Sequence, residues 1–191
     1  MNQTFIKVFC TFLLGTIPHM ADYLNEFVYA SLPRALLDNM THVAIGVVSW
    51  IVVEPSSIKV QRPSRSLIAV AVLSSLIDID HFIAARSIHL KNALRAPYRG
   101  IFHCSGAMLV VNVIMFCLNF HWGVVFLVSW VPHHLRDAVR RGIFLLPPQM
   151  STDPLPNIVV TLLTMTLPWV VSLVQGKMSP LNQPIRNVFD V

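Results

Sequence analysis

Aspartate and histidine recur in four short clusters of an otherwise apolar chain. The clusters are Asp38 with His42, the run Asp78-Ile79-Asp80-His81, His103, and His133-His134 with Asp137. Each cluster lies at the edge of a long apolar segment, where an ionisable side chain is costly unless it has a partner or a function. Imidazole and carboxylate groups are common ligands of divalent metal ions. The clusters therefore predict a metal site.

The spacing within the clusters supports this prediction. His133 and Asp137 are four residues apart, and Asp78 and His81 are three apart. Side chains at these spacings share one face of a helix, so each pair can point into the interior of a helical bundle. Zinc is the first expectation for the metal, with manganese or iron as alternatives. The predicted ligands are His42, Asp78, His81, His103, His133 and Asp137.

Asp80 is expected to act beside the metal. On a regular helix it lies about 200° from Asp78, so it faces elsewhere unless the helix unwinds there. A carboxylate in this place can accept a hydrogen bond from a ligand histidine, cap a helix, or act as a catalytic general base. His134 is expected to be a similar outer partner, whereas His19 and Asp22 are expected to hydrogen-bond between helices.

The composition indicates a membrane protein. The chain has 191 residues, of which 54% are hydrophobic and 12% charged, and its mean hydropathy is +0.63. The apolar runs are long and do not alternate, which favours helical spans, since in lipid each backbone polar group must be bonded within the protein. The net charge of +5 is typical of cytoplasmic loops rather than of nucleic-acid binding. The three cysteines lie in apolar stretches and are expected to be buried thiols.

Six apolar segments predict an all-α, polytopic transmembrane bundle of about six spans. They run from about Phe5 to Tyr29, Leu36 to Val53, Leu67 to Ala85, Ile101 to Phe120, Trp122 to Asp137 and Asn157 to Gln175. The run His121-Trp122-Gly123 is predicted to be the turn of an antiparallel hairpin. We expect one domain over residues 1–176 and a polar tail over 177–191.

If the spans alternate in direction, all four clusters lie at one membrane face, which we call the site face. The loops on this face carry more lysine and arginine, which predicts that it is cytoplasmic. Four arginines there either anchor the helices at the interface or hold an anionic head group of a substrate. They are Arg95, Arg99, Arg136 and Arg140.

The order of four motifs resembles the bacterial YdjM family, whose members are classed as membrane-bound metal-dependent hydrolases. The motifs are THVAIG at 41–46, DIDH at 78–81, YRGIFHCS at 98–105 and PHHLRD at 132–137. The resemblance places all six predicted ligands and Asp80 on the polar positions of that family. The chain departs from the family pattern at Tyr98 (histidine in the family), Phe102 (threonine) and Pro132 (serine).

A second resemblance covers nearly the whole chain. The stretches RALLDN, SLIDIDHF, FHCS, HHLRDAVRRG and DPLP are similar to a family of animal transmembrane proteins, which implies membrane location and no particular reaction. The function therefore has alternatives, and whether the chain is an enzyme is left open. The alternatives are a metal-dependent hydrolase acting on a phospholipid or other phosphoester, a non-catalytic metal-binding scaffold, an ion carrier, and a haem protein with paired histidine ligands. The lipid bilayer is the expected partner.

Overall fold

The fold is a helical bundle with one small β-ribbon. The computed structural model describes residues 2–58, 64–96, 98–147 and 150–178. Within these ranges the helices are α1 Gln3–Glu26, α2 Ser31–Val53, α3 Arg65–Leu76, α4 Asp80–Ala84, α5 Leu90–Ala93, α6 Ser105–Leu118, α7 Phe120–Arg141 and α8 Asn157–Met178. Three 3-10 turns span Pro55–Ile58, Ile77–Ile79 and Ile101–His103, and strands β1 Phe144–Leu146 and β2 Met150–Ser151 pair antiparallel. The predicted fold class is confirmed.

In the part of the chain that the structure describes, four helical segments are long and apolar enough to cross a membrane: α1, α2, Arg65–Ala84 and α8. Helix α6 has 14 residues, which gives a length of about 21 Å, less than the ~30 Å hydrocarbon core. Helix α7 has 22 residues but ends in a charged turn. These two helices correspond to the fourth and fifth predicted segments.

Helix α7 lies at the centre of the bundle. Its Val124, Val125 and Val128 form one core cluster with residues of α2, α3 and α8, among them Trp50 and Val70. A second cluster joins α1 to α2. The outer faces of α1, α6 and α8 carry exposed large apolar side chains, as expected of surfaces that face lipid. Helix α7, which ends in a charged turn, is therefore the helix that the others enclose.

The predicted turn between α6 and α7 is wrong by two residues. The chain turns at Asn119, whose backbone is extended and whose side-chain oxygen accepts a hydrogen bond from the Trp122 amide at 3.1 Å. Asparagine is a strong N-cap because this bond satisfies a free amide at the helix start. His121 and Gly123 therefore lie inside α7, and Gly123 packs on the Phe116 ring of α6.

Other predicted boundaries also shift. Helix α2 begins at Ser31 rather than Leu36, so His42 lies further from the helix end than expected. The predicted third segment is interrupted by the 3-10 turn Ile77–Ile79. The predicted C-terminal tail begins within α8, and its remaining residues, 179–191, lie outside the described residues.

Asn112 provides a test of the α6–α7 packing. Its buried amide donates to the Gly123 carbonyl at 3.1 Å, and the Trp130 indole donates to its oxygen at 2.7 Å. Asn112→Leu removes both bonds and should lower the unfolding free energy by about 1–2 kcal/mol, measured by thermal unfolding in detergent. Val113→Ala, on the exposed face of α6, is the control. Equal melting temperatures for Asn112→Leu and the wild type would contradict this account.

Candidate metal centre

The structure brings the six predicted ligand side chains together. The Asp78 carboxylate lies in the middle of three of the histidines. Its Oδ1 is 3.5 Å from His133 Nε2, 3.7 Å from His103 Nε2 and 3.9 Å from His81 Nε2. One carboxylate oxygen therefore faces three imidazole nitrogens that come from three different segments of the chain.

The Asp137 carboxylate completes the cluster from α7. Its Oδ2 lies 3.4 Å from His103 Nε2 and 3.8 Å from His133 Nε2, and its Oδ1 lies 3.5 Å from His42 Nε2. The rings of His42 and His133 stack with centroids 3.6 Å apart. The two carboxylates thus lie on either side of His103 and His133.

These separations suit atoms that share a metal ion. Ligand atoms bound tetrahedrally to zinc at ~2.0–2.2 Å are about 3.3–3.6 Å from one another. Two groups of three have all their ligand atoms within 4.8 Å of each other: His42, His133 and Asp137, and Asp78, His81 and His103. The cluster could therefore hold one or two ions.

Asp80 orients His103. Its Oδ2 accepts the backbone amides of Phe102 at 2.7 Å and His103 at 3.2 Å, and it lies 3.4 Å from His103 Nδ1. The 3-10 turn Ile77–Ile79 is what lets Asp78 and Asp80 both reach the same site. With a metal ion in place of the Nε2 proton, the remaining proton on Nδ1 would be shared with Asp80, as for a metal-bound histidine. This geometry is that of an orienting group; the role of Asp80 as catalytic base stays a prediction.

His133 is oriented in the same way. Its Nδ1 lies 3.1 Å from the Ser74 carbonyl oxygen, so this nitrogen carries the proton and Nε2 faces the cluster. The Nε2 atoms of His103 and His133 are buried and make no hydrogen bond within the described residues. Buried polar atoms are rarely left without a partner, and a metal ion would supply one.

The charges around His103 favour a cation. This residue lies in the turn before α6, outside the membrane-spanning segments. Burial lowers the pKa of its imidazole, but the carboxylates of Asp137, Asp80 and Asp78 outweigh that effect and raise the pKa to about 9. The same field would stabilise a divalent ion.

Two further residues support the cluster. His134, predicted as an outer partner, lies with Nδ1 2.8 Å from Ser105 Oγ and Nε2 2.8 Å from the Phe102 carbonyl, and so holds the turn that carries His103. Asn39 was not predicted; its amide donates to Asp78 Oδ2 at 2.9 Å. Its position three residues before His42, and hence on the same helix face, is the signal that could have identified it.

Asp38 does not join the metal cluster, although it shares a helix face with His42. Arg136, only 5% exposed, donates to Asp22 at 2.9 Å and to Asp38 at 3.0 Å, and Arg140 lies 3.0 Å and 3.2 Å from the same two carboxylates. This network joins α1, α2 and α7. The predicted head-group role therefore does not describe Arg136, which is buried; Arg140, 46% exposed, is paired with the same two carboxylates.

Arg99, His19 and Tyr98 were also singled out in the sequence. Arg99 donates to the Gly142 and Arg141 carbonyls at 2.9 Å and 2.8 Å and so caps the end of α7. His19 lies 3.2 Å from Thr161 of α8, as expected of a contact between helices. Tyr98, the departure from the bacterial motif, is 53% exposed.

A cavity of about 970 Å³ opens beside the cluster. Asp78 and His81, with side chains 25% and 27% exposed, are its inner polar residues. The walls come from the ends of α1 and α2, from α4 and α5, and from the last turn of α7. We call this space the access cavity, because it connects the cluster to the outside.

The span-length apolar helices and the enclosed polar cluster define an integral, multi-pass membrane protein. The chain is 36% identical to transmembrane protein 267 of Bos taurus over 173 residues, 84% of this chain and 79% of that protein. It is 32% identical to the Xenopus laevis protein of that name over 88% of this chain and 82% of the relative. The chain belongs to the transmembrane protein 267 family. No family model matches it, and no solved structure does.

Gly100 tests the orienting role of Asp80. A Cβ at Gly100 would overlap the Asp80 carboxylate, so Gly100→Ala should displace Asp80 from His103. We expect the affinity for zinc to fall about 10–100-fold, the usual effect of losing an outer partner, as measured by competition with a chromogenic chelator. Gly176→Ala is the matched control, because no described atom outside its own stretch of helix lies within 4 Å of a Cβ there. An unchanged zinc affinity in Gly100→Ala would argue against the orienting role.

Proposed function

We propose that the protein is a membrane-embedded, metal-dependent hydrolase. The observation that carries the proposal is the convergence of four histidine Nε2 atoms and two carboxylates, with two of the histidines held by Asp80 and Ser74 through their other nitrogen. When bound, a divalent ion, zinc in the first instance, supplies an activated water and polarises the scissile bond.

Each residue has a distinct part in this proposal. The ligand residues are His42, Asp78, His81, His103, His133 and Asp137. Asn39 holds the second oxygen of Asp78 and so directs the first towards the histidines. Asp80 sets the tautomer of His103. Asp80 is buried to 1% exposure, so the orienting part is better supported than direct proton transfer with water in the access cavity.

The likeness to the YdjM motifs supports the same reaction class. The four motifs that carry the likeness are the segments that supply the converging side chains. One departure favours a second candidate, a metal-binding scaffold without activity: Tyr98 replaces a histidine of the bacterial motif and is exposed. An ion carrier is less well supported, because Asp78, His81 and Asp137 lie towards the ends of their helices, whereas transport sites typically lie near the bilayer midplane.

Metal analysis tests the first step of the proposal. Purified wild-type protein should contain one or two equivalents of zinc by inductively coupled plasma mass spectrometry. His81→Ala combined with His103→Ala removes two ligands and should reduce bound zinc at least tenfold, whereas His89→Ala, in an exposed loop, should leave it unchanged. A wild-type protein that binds no divalent metal would refute the hydrolase and scaffold proposals together.

Activity separates the two candidates that bind metal. A zinc-loaded protein that hydrolyses no ester, amide or phosphoester in a broad panel would be a scaffold. Within an active protein, Asp80→Asn separates the two roles of Asp80. Weaker zinc binding indicates orientation, whereas full zinc content with a 10²–10⁴-fold slower reaction indicates a general base.

We propose that the site face is cytoplasmic, because the loops at that face carry more lysine and arginine. In a variant without native cysteines, Arg95→Cys lies on the site face and Ser56→Cys on the other. Arg95→Cys should react with an impermeant maleimide once the plasma membrane alone is permeabilised with digitonin. It should stay unreactive in intact cells, and labelling of intact cells at Arg95→Cys would reverse the orientation.

A further inference from the structure

We propose that the substrate is an amphiphilic phosphoester whose apolar chain lies in the access cavity and whose phosphate lies between the metal cluster and Arg141. This inference rests on the proposed hydrolase function and names the substrate class of the same site. It follows from three observations on the access cavity: which ligands it reaches, what its walls are made of, and which charge on its rim is free.

The access cavity reaches the cluster from one side. Asp78 and His81 line it, whereas His42 and His133 are almost completely buried. A substrate atom that enters the cavity therefore meets Asp78 and His81 first. The volume of about 970 Å³ is at the upper end of the ~300–1,000 Å³ typical of small-molecule sites, so there is room for a chain as well as a head group.

The walls of the access cavity are largely apolar. Leu36 of α2 and Leu94, directly after α5, line it and are 56% and 50% exposed, and Leu32 and Phe82 lie on the same walls. The described residues leave about half of the Leu32, Leu36 and Leu94 surface uncovered. A substrate with a hydrocarbon chain beside its reacting group would cover them, and a small polar substrate would not.

The rim selects an anionic head group. Among the arginines that line the cavity, Arg140 is paired with Asp22 and Asp38, and Arg34 donates to a backbone carbonyl of α1. Arg141 also lines the cavity; within the described residues its backbone carbonyl accepts from Arg99, and its guanidinium forms no hydrogen bond or ion pair. A guanidinium binds phosphate oxygens in a two-pronged geometry, so Arg141 is placed to hold a phosphate.

One acidic residue on the rim needs an explanation. Glu26, at the end of α1, also lines the cavity. It lies one helical turn after Asp22, on the same face of α1, and the Asp22 carboxylate holds Arg140 at 3.0 Å. We assign the phosphate to Arg141, the next residue of α7, which also lines the cavity.

The reaction balances without any further reagent. The oxygen of a water molecule forms a bond to phosphorus, and the bond between phosphorus and the ester oxygen breaks with its electron pair on that oxygen. The proton released by the water ends on the same oxygen. The products are an amphiphilic alcohol and a phosphate that carries the new oxygen.

Binding and turnover of dioctanoyl phosphatidic acid test the inference. Binding to the full chain in detergent is measured by displacement of a fluorescent phosphatidic acid, with and without zinc, and turnover by released phosphate. Arg141→Ala should weaken binding and raise KM at least tenfold, and Arg141→Lys should recover part of both. Arg95→Ala is the matched control, an exposed arginine of the same face outside the cavity, and should stay within twofold.

The apolar walls are tested separately. Leu36→Asn with Leu94→Asn should raise KM for dioctanoyl phosphatidic acid at least tenfold and leave hydrolysis of water-soluble 4-nitrophenyl phosphate unchanged. Dioctanoylglycerol, which lacks the phosphate, should not displace the fluorescent lipid.

The two proposals fail in different ways. If 4-nitrophenyl phosphate is hydrolysed but the Arg141 and wall variants bind phosphatidic acid like the wild type, the substrate inference is wrong and the hydrolase proposal stands. If the protein binds phosphatidic acid through Arg141 yet has no zinc-dependent turnover, the binding site stands and the hydrolase proposal is wrong. Displacement by dioctanoylglycerol as strong as by phosphatidic acid would also overturn the substrate inference.

Discussion

Helices α2 and α7 contact each other through two groups of charged side chains, the arginine–aspartate network and the His/Asp cluster. The rest of the arrangement depends on this contact. Asp38 and His42 lie on successive turns of α2. Asp38 pairs with two arginines of α7, and His42 faces Asp137 of the same helix. A shift of one helix along the other would separate both sets at once. Buried charges that lose their partners are strongly destabilising, so this pairing defines the register of the two central helices.

The second half of the His/Asp cluster depends on local breaks in the helices. The 3-10 turn Ile77–Ile79 lets Asp78 and Asp80 point into the same region, and the turn Ile101–His103 brings His103 in from the start of α6. Irregular backbone near a membrane is tolerated only where its polar groups are bonded. Asp80 meets this condition for the amides of Phe102 and His103, so the carboxylate that orients a ligand also stabilises the break that presents it.

The residue set of the cluster could be predicted because ionisable side chains at spacings of three and four stand out in apolar helices. His133 with Asp137 and Asp78 with His81 converge as that spacing predicts. The pairing of Arg136 with Asp22 and Asp38 could not be predicted, since those residues are 114 and 98 positions apart and the spacing rule relates only neighbours within a helix. The helix break at Ile77 entered the sequence analysis only as a condition on Asp80, since a hydropathy pattern does not distinguish a 3-10 turn from continued α-helix. The cap at Asn119 was missed because Gly123, a common turn residue, lies four residues further on.

A purely structural role for the cluster accounts for less of its geometry than a metal site does. Histidines that only join helices would be expected to use both nitrogens in hydrogen bonds, as His134 does. In His103 and His133, by contrast, only Nδ1 is hydrogen-bonded. Their Nε2 atoms make no hydrogen bond and face carboxylate oxygens 3.4–3.8 Å away. Two carboxylates facing neutral imidazoles in apolar surroundings would leave negative charge uncompensated, which is costly. Protons on the imidazoles could balance that charge, but a divalent cation would also account for the common direction of the Nε2 atoms.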